Sequence, residues 1–239
     1  MYTSTLEAPV LLVGAAHVVD LATPLRATFA GRELDAVALE LDQERAAALL
    51  APPGSEPARR GGGPVFLRLW AMMQRRLGEE MGGGIAGAEM RVAAEVAKER
   101  GLPVFFIDDP LRETLGRLLR SLSVRERLSL MVGGFVGLVL PAREVEHQLE
   151  QYSSSPAEYL GELRSAYPTV ARVLLDDRNE HMADRLAELR RRGFGRVAAV
   201  VGDAHVPGLA DALRRRAIPT ERLPFAQLRA VRGPSATTS

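Results

Sequence analysis

The sequence predicts an α/β fold: a mixed sheet built from two related strand–Gly-x-x-His–helix units, with a helical insertion between them. Three observations lead there. Short apolar runs alternate with helix-periodic stretches at both ends of the chain. The middle is charged and reads as helix. One strand–turn–helix segment occurs twice.

The elements follow in order. Val10 to Val13 is a short apolar run ending at Gly14, the pattern of a buried strand. Residues 18–30 carry apolar side chains at helical spacing, and Gly31 closes them. Ala36 to Leu41 (AVALEL) is the next strand and Gln43 to Leu50 a helix. Residues 51–64, APPGSEPARRGGGP, form a Pro/Gly loop. Phe66 to Glu80 is a helix with an apolar face of Leu67, Leu69, Trp70 and Met73, interrupted by Gly82-Gly83-Gly84. That glycine run lacks the Lys-Ser/Thr that completes a P-loop, so it reads as a hinge or lid. Gly87 to Arg100 is a helix with Gly101 as its C-cap. Pro103 to Ile107 is a strand that runs into Asp108 and Asp109. Residues 111–166 are mostly helical, and Thr169 to Arg192 is a long helix ended by Gly193. Val197 to Val201 is a strand ending at Gly202, residues 207–216 a helix, and Arg222 to Leu228 a last strand. Residues 1–232 read as one domain, and the 233–239 tail as disordered.

Composition narrows the chemistry. The chain has 239 residues, enough for one substantial core. Its net charge of +1 gives no field that draws it to nucleic acid or an acidic membrane. It has no cysteine, which excludes disulfides, thiolate metal sites and cysteine nucleophiles. The start, MYTSTLEAPV, lacks the basic and apolar regions of a signal peptide, so the expected location is the cytoplasm. The most apolar run, Leu128 to Pro141, is broken by glycines and too short to span a bilayer. That run and the 66–80 helix are the surfaces on which a homodimer would form.

The repeat is the strongest functional signal. Residues 13–26, VGAAHVVDLATPLR, match residues 201–214, VGDAHVPGLADALR, at 9 of 14 positions. Histidine is scarce, with four in the chain, and His17 and His205 occupy the same place in the two units. A duplication would set the two units about a pseudo-twofold axis, with each histidine near it. Glycine permits a tight turn where a strand ends, and ligands bind at the C-terminal edge of open α/β sheets. Glu40, inside an otherwise apolar strand, and Asp108 and Asp109 arrive at the same edge. Two histidines and a carboxylate suit a divalent transition metal such as manganese, cobalt or zinc. Alternatively, a buried Glu40 pairs with an arginine. His147 (EVEHQLEQ) and His181 (RNEHMADR) read as solvated surface residues.

The chain resembles the TraB family, which includes pheromone-shutdown proteins and relatives of the Tiki proteases. VGAAH at 13–17, VALELDQER at 37–45, GAEM at 87–90, IDDPLRETLGRL at 107–118, LLDDRNEHMADRL at 174–186 and VVGDAHVPGL at 200–209 carry the likeness, in the family's order. The resemblance implies a fold shared with erythromycin esterase-like and ChaN-like proteins, and a metal-dependent peptidase activity. It implies that His17 and His205 are the family histidines, Glu40 and Glu89 its acidic residues, and Arg112 and Arg178 its arginines. Two runs depart from the family pattern. Asp108-Asp109-Pro110 lacks the arginine of an acidic-Arg-acidic run, and Asp177-Arg178-Asn179 stands where Glu-Arg-Asp is usual.

The expected function is a metal-assisted hydrolase of peptide or ester bonds. His17, His205 and Glu40 would hold the metal or position water. Glu89 would serve as general acid or base, and Arg178 or Arg112 would stabilise developing negative charge. Two alternatives stay open: a protein that binds or sequesters a peptide without consuming it, and a metal-free His/Glu esterase.

Overall fold

The computed structural model describes residues 7–15, 21–51, 88–129 and 156–231. His17, residues 52–64 of the Pro/Gly loop, the 66–80 helix, Gly82-Gly83-Gly84, His147, all but the first two residues of the 128–141 run, and the 233–239 tail lie outside the described residues.

The described elements are β1 (Val10–Ala15), α1 (Ala22–Ala30), β2 (Ala36–Leu39), α2 (Gln43–Leu50), α3 (Ala88–Glu99), β3 (Val104–Phe106), α4 (Leu111–Ser121), α5 (Pro156–Ala166), α6 (Pro168–Ala171), a π-helical turn (Arg172–Asp176), α7 (Asp177–Arg191), β4 (Val197–Gly202), a 3-10 turn (Asp203–His205), α8 (Val206–Arg215), β5 (Thr220–Leu223) and α9 (Phe225–Ala230). Among the described residues no helix is long and apolar enough to cross a membrane.

The five strands form one sheet in the order β3-β2-β4-β1-β5. The fold is α/β as the sequence predicts, and of the largely parallel or mixed sheet expected, every described strand pair is parallel. Parallel neighbours need a crossover, and helices supply it on both faces. This is why the strands read as unbroken apolar runs rather than alternating ones. Val10, Leu12, Ala36, Ala38, Val197, Ala199 and Val201 pack on one face under α7 and α8. Leu11, Val13, Val37, Leu39, Ala198 and Val200 pack on the other under α1, α3 and α9. Phe29 and Leu209 are fully buried in opposite layers, and truncating either to alanine would cost about 2–5 kcal/mol.

The connections interleave. β1 leads through α1 to β2, which lies beyond β4; β4 leads through α8 to β5, which lies beyond β1. β1 and β4 are therefore adjacent, with Ala15 beside Gly202.

Several boundaries differ from expectation. β2 stops at Leu39, so Glu40 is the first residue past the strand, although its N–H still bonds the Val200 carbonyl at 3.1 Å. The 169–192 helix contains a π-helical turn over Arg172–Asp176. The last strand occupies Thr220–Leu223, and Pro224 begins a helix rather than continuing it. Gly101 adopts φ +65, the left-handed conformation of a helix C-cap.

Candidate active site

All five described strands are parallel, so their C-terminal ends share one edge. β2 delivers Glu40 and Asp42 there, β3 delivers Asp108 and Asp109, and β4 delivers His205. Helix α7 leads back to the start of β4 and so presents its N-terminal turn, with Arg178 and Asn179, to the same edge.

Arg178 is the hub, and all five N–H groups of its guanidinium are used. Nε donates to Asp108 Oδ1 at 2.9 Å, and Nη2 donates to Asp108 Oδ2 at 2.7 Å. Nη2 also donates to Glu40 Oε1. Nη1 donates to the Leu174 carbonyl at 3.2 Å, inside the π-helical turn, and to His205 Nε2 at 3.1 Å. A fork held by two carboxylates is the geometry for which guanidinium is suited and ammonium is not. The pair is buried, so removing either sign leaves an uncompensated charge.

His205 is buried and has polar partners at both ring nitrogens: Nδ1 lies 2.8 Å from Asn179 Oδ1 on one side, and Nε2 meets Arg178 on the other. A guanidinium can only donate, so Nε2 accepts and the proton sits on Nδ1, donated to Asn179. Burial lowers the His205 pKa from its ordinary value, and Arg178 lowers it further against the pull of Glu40 and Asp108. The ring is neutral at pH 7.

Glu40 is also buried, which alone would push its carboxyl up. The charges of His205 and Arg178 and the Gly202 N–H outweigh burial and hold it down to about 2. The Gly202 N–H donates to Oε2 at 2.6 Å.

A second arginine closes the cluster. Asp42 caps α2 by accepting the Arg45 N–H at 2.8 Å, and its other oxygen accepts Arg45 Nε at 2.8 Å. Burial opposes ionisation of Asp42, but the Arg45 backbone and guanidinium overcome it and lower its pKa. Arg45 Nη2 reaches Asp108 and the Glu40 carbonyl. The sequence reading missed Asp42, Arg45 and Asn179. The Asp42–Arg45 spacing of three at a helix start was the available signal for the first two.

The expected site residues divide. Glu40, Arg178 and His205 come together, with Asp108 between them. Glu89 is buried in the first turn of α3, which leads to β3 and so begins at the same edge. Arg112 stands apart, its side chain 77% exposed and 3.5 Å from Glu44. It forms an exposed ion pair outside the Arg178 cluster. His181 is half-buried rather than solvated, with Nδ1 3.0 Å from Asp109 Oδ1. His17 lies outside the described residues.

The glycines of the two repeats act by space rather than by turn geometry. Gly202 has φ −56, which any residue adopts. A Cβ on Gly14 would overlap Asp203 Oδ1, which accepts the Phe225 N–H at 2.7 Å. Gly208 is held for the same reason, because a Cβ there would overlap the side-chain nitrogen of Asn179.

The sequence pattern of the TraB/PrgY/gumN family matches residues 4–222. The chain belongs to that family. An uncharacterized protein of Methanocaldococcus jannaschii is 28% identical over 225 residues, which cover 87% of this chain and 54% of that protein. The chain thus spans about half the length of the curated relative it matches. Within the TraB/PrgY/gumN chain, the match covers every residue of the Arg178 cluster.

The expected metal meets a geometric test here. His205 Nε2 and Glu40 Oε1 lie 3.4 Å apart, which is about the spacing of two ligands ~2 Å from one tetrahedral ion. The Arg178 guanidinium already bonds both atoms. An imidazole nitrogen has one lone pair, so an ion could take Nε2 only after Arg178 left. Among the described residues no three His, Asp or Glu side chains converge as ligands. The described donor set, as arranged, fits a guanidinium rather than a metal.

Proposed function

We propose that this TraB/PrgY/gumN chain is a hydrolase of peptide or ester bonds centred on Glu40, Arg178 and His205. The observation that carries the reading is a buried carboxylate–guanidinium–imidazole cluster at the C-terminal edge of a parallel sheet. Burying these charges is costly, and a fold maintains such a cluster where a fixed electrostatic environment has a use.

The roles follow from which lone pairs and protons are spent. Arg178 has no N–H left and His205 has no free nitrogen, so both act as positioning residues. Glu40 accepts one bond at each oxygen and keeps a lone pair on each. It orients the attacking water. Arg45 Nη1 has no hydrogen-bond partner among the described residues, and its side chain is one-third exposed. It is the cation that meets the carbonyl oxygen as negative charge develops there. Manganese, cobalt or zinc bound by His17, His205 and Glu40 belongs to this reading only with Arg178 displaced, and no step here passes through an ion.

A second reading is favoured by the same accounting. A cluster whose central donors are all satisfied, with Glu40 held at about 2, is a weak base and would serve a protein that binds a peptide without cleaving it. A panel of nitrophenyl esters and fluorogenic peptides, assayed with chelator and with each of the three metals, separates the readings. Turnover lost in Glu40→Gln supports the hydrolase. Saturable peptide binding without turnover selects the binding protein.

A further inference from the structure

The proposed centre lacks a proton acceptor for neutral pH. Glu40 is ionised but weakly basic, and both His205 nitrogens are engaged. One turn further along α7 stands a second imidazole that the sequence reading set aside.

We propose that His181 is the general base of the reaction, oriented by Asp109. This rests on the hydrolase reading above. His181 Nδ1 lies 3.0 Å from Asp109 Oδ1. A carboxylate this close favours the proton on Nδ1, which leaves the Nε2 lone pair for a base beside its acid. The other Asp109 oxygen is held by Arg117, whose guanidinium also reaches Thr114. The Asp109 N–H donates to Asp108 Oδ1 at 2.9 Å. Two consecutive carboxylates therefore grip two side chains three residues apart on α7: Asp108 holds Arg178 and Asp109 holds His181. Residues at that spacing share a helix face, with Cβ atoms about 5–6 Å apart. The His181 side chain is 35% exposed and that of Arg178 16%, so the base is the more accessible of the two to water.

The step balances. Water loses a proton to His181 Nε2 as its oxygen forms the bond to the acyl carbon. The same proton returns to the leaving nitrogen or oxygen as the bond to that carbon breaks. The products are a carboxylic acid and an amine or alcohol. The charged groups around His181 are Asp177, Arg178, Asp184 and Arg185 on its own helix, Asp108 and Asp109 after β3, and Arg117 on α4.

The test uses the full chain with p-nitrophenyl acetate and a fluorogenic peptide panel. His181→Ala is expected to lose about 100-fold in kcat/KM, to lose the acid limb of the pH profile, and to regain activity in added imidazole. Asp109→Asn is expected to show an intermediate loss. Diethyl pyrocarbonate followed by peptide mapping is expected to label His181 and spare His205. Wild-type kcat/KM and pH profile in His181→Ala, while Glu40→Gln is inactive, overturns this inference and leaves the hydrolase reading standing. Loss of activity in His181→Ala without imidazole rescue also overturns it, as a structural role would give that result. Absence of turnover by the wild type on every probe overturns the hydrolase reading and this inference with it.

Discussion

Arg178→Leu removes the cation that Glu40 and Asp108 share and replaces it with an apolar side chain of similar reach. The size of the effect follows from Glu40, whose carboxyl falls from 4.5 to about 2 in the folded chain. At 1.36 kcal/mol per unit that shift corresponds to about 3 kcal/mol, shared among His205, Arg178 and the Gly202 N–H. Stranding Asp108 adds to it, although Arg45 still holds that carboxylate. A loss of about 3–5 kcal/mol at pH 7 is expected, as for other broken buried pairs. In a chain of this size that lowers Tm by roughly 6–20 °C. The sign with pH is distinctive. In the wild type, the folded Glu40 pKa is depressed. Its stabilisation is therefore complete above about 4.5 and disappears as pH falls from there toward 2. In the variant, burial is opposed only by His205 and the Gly202 N–H, so the Glu40 pKa rises and acid relieves the stranded charge. The stability gap between the two proteins should close as pH falls from 7 to 3. Urea midpoints followed by circular dichroism across that range would measure it. A gap below about 0.5 kcal/mol at pH 7, or one constant with pH, would refute the hub account.

Three further outcomes are expected. His205, with its pKa lowered below 6.5, adds stability that is present above 6.5 and lost as pH falls below it. In His205→Gln, a urea series should show a shallower decline below pH 6.5, and a parallel decline would contradict the neutral buried ring. Gly208→Ala should cost about 1–3 kcal/mol by forcing Asn179 aside. Asn179→Ala in the same chain should recover part of that loss, and strict additivity in thermal melts would show that the two residues do not press on each other. Gly101→Ala, with open space around it but φ +65, should cost about 1–2 kcal/mol from backbone strain alone. An unchanged Tm would dismiss that strain.

What could be read from the sequence tracks how local each cause is. Helix α2 begins and ends where the pattern places it because Asp42, its cap, is three residues from Arg45. The parallel sheet follows from apolar runs buried on both faces, while the β5 boundary does not. As an edge strand, β5 keeps polar Thr220 and Glu221, and its apolar residues belong to the helix that Pro224 starts. Glu40, Arg178 and His205 were nameable, but their partnership was not. Arg178 sits among charges that read as a solvated face, and its carboxylate partners are 138 and 70 residues away. His181 is hidden in the same way, in RNEHMADR, where nothing local shows that Asp109 will face it. Arg112 and Arg178 look alike in sequence, and only the sheet edge distinguishes the exposed pair from the buried hub.

The most direct measurement of the central claim is turnover of the ester and peptide panel by the wild type and by Glu40→Gln, with folding checked by circular dichroism. The account predicts hydrolysis by the wild type and at least a 100-fold lower kcat/KM in a folded Glu40→Gln chain. Equal turnover by the two proteins, or none by the wild type with chelator or with manganese, cobalt or zinc, would contradict it.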